Sequence, residues 1–215
     1  MSNQVTLNST VFLSKLITQY AYIHEKTVGK TAGEYVRQIG LRTGEWIEGL
    51  YNDQHTGPWT VDEYAAIIVD LKNSIGGHFY ISEVHPDHVV VKSTACPFGE
   101  AVQDAPHLCN MTSSVFGGMA SRQFGYAKVS LRKRIALGDP GCEVAVYFQP
   151  EGADEIGDVY ENLRRTPDNG DPFKWEEETI SLLHEELRQS DELIMKLLNE
   201  LEDLRNQVKG DQGHR

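Results

Sequence analysis

Apolar residues recur along this chain with two different periods, and the changes of period divide it into elements. Val11, Phe12, Leu16, Tyr20 and Ile23 repeat at helical spacing behind Ser9 and Thr10, either of which can cap a helix, and Gly29 ends the run. Ala32 to Asn52 repeats the pattern through Tyr35, Val36, Ile39, Trp46, Ile47, Leu50 and Tyr51. Gly40 and Gly44 share one face of this helix, where they suit close helix packing or a pocket wall. After the turn at His55-Thr56-Gly57-Pro58-Trp59, Thr60 and Glu63 form a capping box for a third helix. Its inward face reads Val61, Tyr64, Ile68, Leu71 and Ile75, and Gly76-Gly77 stops it.

The period then falls to two. His78 to Val84 and His88 to Thr94 alternate around His85-Pro86-Asp87, which predicts a hairpin. A helix from Pro106 to about Phe124 follows, with Val115, Phe116, Met119 and Ala120 as its buried stripe. A second hairpin pairs Tyr126–Leu137 with Cys142–Phe148 across Gly138-Asp139-Pro140-Gly141. This order predicts an α+β fold, with N-terminal helices packed on an antiparallel sheet of two hairpins. Residues 1–8 read as a loose tail and 9–150 as the domain. Residues 151–172, rich in Gly, Pro and charge, read as a linker with room for a short helix around Ile156–Leu163. From 173 to 209 a 3.5-residue stripe (Ile180, Leu183, Leu187, Ser190, Ile194, Leu197, Leu201, Leu204, Val208) predicts a C-terminal coiled-coil helix and a homodimer formed through it.

Charge narrows the function classes. The 215 residues carry 32 acidic and 20 basic side chains, a net charge of −12, which argues against nucleic acid as a partner. The basic cluster Lys128–Arg134 alternates along a strand and reads as a solvated face. A polar N-terminus and the lack of a membrane-length apolar run lead to the expectation of a cytoplasmic protein without a membrane partner. In that compartment structural disulfides are rare, so thiols are read as reduced.

All three cysteines fall within one stretch, at element ends. Cys96 closes the first hairpin, Cys109 lies early in the Pro106 helix, where a helix N-terminus favours a thiolate, and Cys142 follows a turn. Their spacings, thirteen and thirty-three residues, match no standard zinc finger, and three independent core thiols would explain them equally well. If they converge, three thiolates suit zinc with a fourth ligand or an iron–sulfur cluster with one non-cysteine site. His107, Asp139, Glu143, His85 and His88 are the candidates for that fourth position, His107 foremost. No phosphate-binding glycine loop, nucleophile triad or supported carboxylate pair argues for an enzyme.

The segments CPFG, LCNMTSSVFGGMASRQFGYAKVSL and GDPGCEVAVYF resemble the methanogen output domain family, in the vicinity of 4-vinyl-reductase-type sensor domains. The resemblance spans about residues 9–150 and matches the family's three-cysteine pattern at Cys96, Cys109 and Cys142. It implies a signalling domain that binds a metal or cluster, such as 4Fe–4S, through these cysteines. It also implies that redox or oxygen state passes through the coiled coil to a separate protein effector. The alternative is a small-molecule-binding regulatory domain with structural zinc.

Overall fold

The computed structural model describes residues 8–52, 57–150, 155–161, 163 and 174–212. Residues 1–7 of the expected tail, the His55-Thr56 part of the turn, most of the expected linker (151–154, 162 and 164–172) and the first residue of the expected coiled coil, 173, lie outside the described residues. The chain forms two compact units, Met1–Thr166 and Pro167–Arg215.

The first unit opens with α1 (Ser9–Val28) and α2 (Ala32–Asn52). Asn8, not Ser9 or Thr10, caps α1, with its Oδ1 accepting from the Val11 N–H at 2.9 Å. The apolar stripe of α1 does not enter the core: Phe12, Leu16, Tyr20 and Ile23 are all more than half exposed, and the buried residues are Thr18 and Ala21. α3 (Val61–Ser74) carries the expected box, with Thr60 and Glu63 bonding each other's backbone N–H. Its inward face is Tyr64, Ala65, Ile67, Ile68 and Lys72. Ile75 lies beyond the helix and is exposed, so Lys72 holds the inward place four residues after Ile68.

The sheet contains β1 (Phe79–Val84), β2 (His88–Ser93), β3 (Tyr126–Lys133), β4 (Cys142–Tyr147) and β5 (Asp158–Glu161). Its order is β1-β2-β4-β3-β5, and every pairing is antiparallel. The two expected hairpins are joined through β2 and β4. β5 occupies the segment read as a linker with a short helix; it pairs with β3 and buries Tyr160. β3 ends at Lys133, and Ile135–Leu137 is a short 3-10 turn rather than strand.

Val89, Val91, Val129, Val144 and Val146 point from the sheet into one core with Tyr64, Ile68, Phe116 and Met119. Phe116 and Met119 belong to α4 (Cys109–Phe124). The alternate residues Val90, Ala145 and Tyr147 form a small cluster on the outer face. α2 lies against α4 at backbone distance. A Cβ on Gly40 would stand 2.9 Å from the Met111 carbonyl oxygen, and one on Gly44 3.2 Å from Val115 Cα. Close packing therefore explains both glycines. Across this contact Glu48, almost fully buried, accepts from Arg122 Nε at 2.6 Å and Gln123 Nε2 at 2.5 Å.

The second unit contains α5 (Lys174–Gln212). Ile180, Leu187, Ile194, Leu197 and Leu201, all in the heptad stripe, are exposed along it. The side chains of Leu204 and Val208 lie outside the described residues. No helix among the described residues is long and apolar enough to cross a membrane.

Candidate functional site

Three elements carry the cysteines to one place. β2 ends at Ser93, whose hydroxyl donates to the Ala95 carbonyl at 2.7 Å and accepts the Ala95 N–H, turning the chain just before Cys96. The turn is closed by the Gly99 N–H on the Cys96 carbonyl at 2.9 Å. Cys109 is the first residue of α4, behind a 3-10 turn over Pro106–Leu108. Cys142 is the first residue of β4 and stands opposite Ser93 in the β2–β4 register. Gly141 permits that approach, since a Cβ there would meet the Ser93 carbonyl oxygen at 2.6 Å.

All three thiols are free and half-buried, and together they line one cavity of about 30 Å³ with Phe79, Phe98, Val102, Leu108, Thr112 and Val144.

Behind the wall sits Lys72. It is 6% exposed, and its Nζ donates to Thr112 Oγ1 at 2.7 Å. Its Nζ also lies over the rings of Phe79 and Phe116, at 5.9 and 5.5 Å from their centroids. Among the described residues no carboxylate pairs with it. Burial pulls its pKa down to about 8, and the three cysteines act in the opposite sense. Lys133 and Arg134 also line the cavity.

The helix N-terminus does not activate Cys109. Burial, and then the neighbouring Cys96 and Cys142, push its thiol up to about 11; burial raises Cys96 as well, against a lowering bond from the Phe98 backbone. Metal-free, these two thiols hold their protons at neutral pH.

The proposed fourth-ligand residues stand elsewhere. His107 is half-buried and does not line the cavity; its Nδ1 lies 3.4 Å from Glu25 on α1, and neither ring nitrogen makes a hydrogen bond. Burial lowers its pKa. Asp139 accepts the Arg134 N–H at 2.7 Å, and Glu143 pairs with Lys92, Arg132 and Lys133. His85 and His88 belong to the far end of β2–β4. His88 pairs with Tyr147 whereas Cys142 pairs with Ser93, five residues or about 17 Å along the strand.

Lys72 is the member of this site that sequence reading missed. Its signal was the four-residue spacing Tyr64, Ile68, Lys72, which places a charge on an apolar stripe.

Residues 57–147 match the family model of methanogen output domain 1. That span contains all three cysteines, Lys72 and the whole of α3 and β1–β4. No curated protein matches the chain. Two solved structures share the fold. The phenol-responsive sensory domain of the transcription activator PoxR, solved with phenol, is 12% identical with a TM-score of 0.51, over 66% of this chain and 76% of that one. A trafficking protein particle complex subunit 3 from Naegleria fowleri, covalently bound to palmitic acid, is 14% identical with a TM-score of 0.51, over 72% of this chain and 97% of that one. At these identities the likeness is one of fold alone.

Proposed function

We propose that this chain is a regulatory sensor whose sensing element is an iron–sulfur cluster held by Cys96, Cys109 and Cys142. In this reading the state of the site passes to a separate protein effector through a dimer of α5. The observation that carries it is the meeting of all three cysteines at one cavity backed by a buried lysine that no carboxylate among the described residues pairs with. Three thiolates on a dipositive cluster core leave one net negative charge, which Lys72 balances. Soft thiolates fit such a core, with one position open to a non-cysteine ligand. Three thiolates also suit tetrahedral zinc with a fourth ligand, and metal analysis decides between the two. When bound, the cluster supplies a change of charge with oxidation state. Lys72 and the first turn of α4 are the protein groups that would feel it.

The solved relatives hold phenol and palmitic acid, which suggests a second reading, a small-molecule receptor.

The test is anaerobic purification followed by an absorption spectrum and determination of iron, sulfide and zinc. A brown protein with iron and sulfide supports the proposal. Stoichiometric zinc in a colourless protein would replace the cluster by a structural metal. Each of Cys96→Ser, Cys109→Ser and Cys142→Ser should lose most of the metal, and full retention in any one would show that the three do not form a joint site.

A further inference from the structure

A group of metal-ligating side chains stands at the other end of the same strand pair. Glu83, His85 and His88 present ligand atoms that all lie within 4.8 Å of one another. The fold builds this arrangement in three ways. A register shift between Ile81 and Glu83 interrupts β1, and Glu83 then stands opposite Val90 of the outer face while Val84 packs into the core. Without the shift Glu83 would keep the inward phase of Phe79; re-aiming a side chain is a known use of a bulge. The turn is fixed by the His85 N–H on the His88 carbonyl at 2.8 Å and by the Phe148 N–H on the Asp87 carbonyl at 2.8 Å. The rings of His85 and His88 stack at 4.6 Å between centroids, and His88 stacks on Tyr147 at 5.3 Å.

Glu83 Oε2 and His85 Nε2 lie 3.7 Å apart as an ion pair, and Asp87 supplies the other polar contact. Asp87 Oδ1 lies 3.0 Å from His88 Nδ1. A carboxylate there holds the proton on Nδ1 and leaves Nε2 as a neutral donor, the usual support of a metal-binding histidine. Two imidazoles and one carboxylate form a donor set that takes zinc and neighbouring divalent ions with a fourth position open. Zinc bonds of about 2.0–2.1 Å require donors about 3.3 Å apart. The adjustment is small, since the Glu83 and His85 side chains are about half exposed at 49% and 51%.

The geometry points to Glu83, His85 and His88 as a divalent transition-metal site, separate from the cysteines and oriented by Asp87. Because Asp87 and His88 contact Phe148 and Tyr147 at the end of β4, occupancy would brace the hairpin turn against that strand end.

Cobalt(II) titration of the reduced full-length protein tests this, because thiolate ligation gives intense charge-transfer absorption and nitrogen–oxygen ligation does not. The wild type should bind one equivalent without that absorption. His85→Ala and His88→Ala should lose this equivalent and keep any thiolate signal, whereas Cys142→Ser should do the reverse. Asp87→Asn keeps every ligand and should weaken the site about 10- to 100-fold. His85→Ala changes only a half-exposed side chain, so its result does not depend on folding. Unchanged stoichiometry in His85→Ala, or loss of the thiolate signal with it, would overturn the assignment.

Discussion

Lys72→Met isolates the cost of holding an ammonium beside three thiols. In the folded, metal-free protein the Lys72 pKa falls from 10.5 to about 8. At about 1.4 kcal/mol per pH unit, that displacement is worth about 3 kcal/mol. The sign follows from proton binding. Between about pH 8 and 10.5 the unfolded lysine is protonated and the folded one is not, so Lys72 makes stability rise with pH across that window. Below pH 8 the full penalty stands. Methionine keeps the length of the chain, removes the charge, and gives up the bond to Thr112, worth about 1 kcal/mol. The metal-free variant should therefore be about 2 kcal/mol more stable than wild type at pH 6, and the difference should shrink as pH rises to 10.5. Cys109, raised from 9.0 to about 11, pulls stability down only between those values, at and above the highest pH of the comparison. Urea unfolding with reductant and chelator at pH 6, 7.5 and 9 measures this. The metal-loaded protein should respond the other way, with Lys72→Met releasing its metal faster because the balancing charge is gone. A variant less stable than wild type by the same amount at every pH would refute the reasoning.

Glu48→Ala leaves Arg122 buried and uncompensated, and should cost about 3–5 kcal/mol in chemical unfolding; Glu48→Ala with Arg122→Met should recover most of it. Because the Cys109 thiol titrates near 11 and must lose its proton to bind metal, metal affinity in competition with a chelator should climb with pH through the neutral range. The full chain should sediment as a dimer and a chain ending at Thr166 as a monomer, since the exposed heptad residues Ile180, Leu187, Ile194 and Leu201 lie in the second unit; a monomeric full chain would remove α5 as the dimer contact.

Much of the fold is written in short-range pattern. The Thr60–Glu63 box, the two hairpins and the helix α5 need only neighbours within a few residues, and all are present. What escaped depends on distant partners. β5 has four residues, of which Tyr160 alone is buried, and its pairing with β3 supplies what its composition lacks. The stripe of α1 has a sound period, yet periodicity does not say whether a partner face exists, and here Phe12, Leu16, Tyr20 and Ile23 remain exposed. At the site, cysteine convergence was readable from element ends. Lys72 was hidden because a lone charge on an apolar stripe reads as a boundary, and His107 drew notice by sequence proximity while its ring lies beside Glu25 on another helix.

The pairing of β2 with β4 also sets the moment at which the cysteines can act. Cys96 follows β2, Cys109 opens the helix between the two strands, and Cys142 begins β4, so the three sulfurs are strangers until a long loop has closed. A growing chain offers no ligand set to capture metal, unlike a zinc finger whose close-set ligands organise folding. The apolar residues that close the loop, Val89, Val91, Val144 and Val146, are buried independently of sulfur. Under the proposed function, loading would be a step that follows folding, and the metal-free chain would be a folded acceptor that can wait for delivery, lose its metal and be charged again.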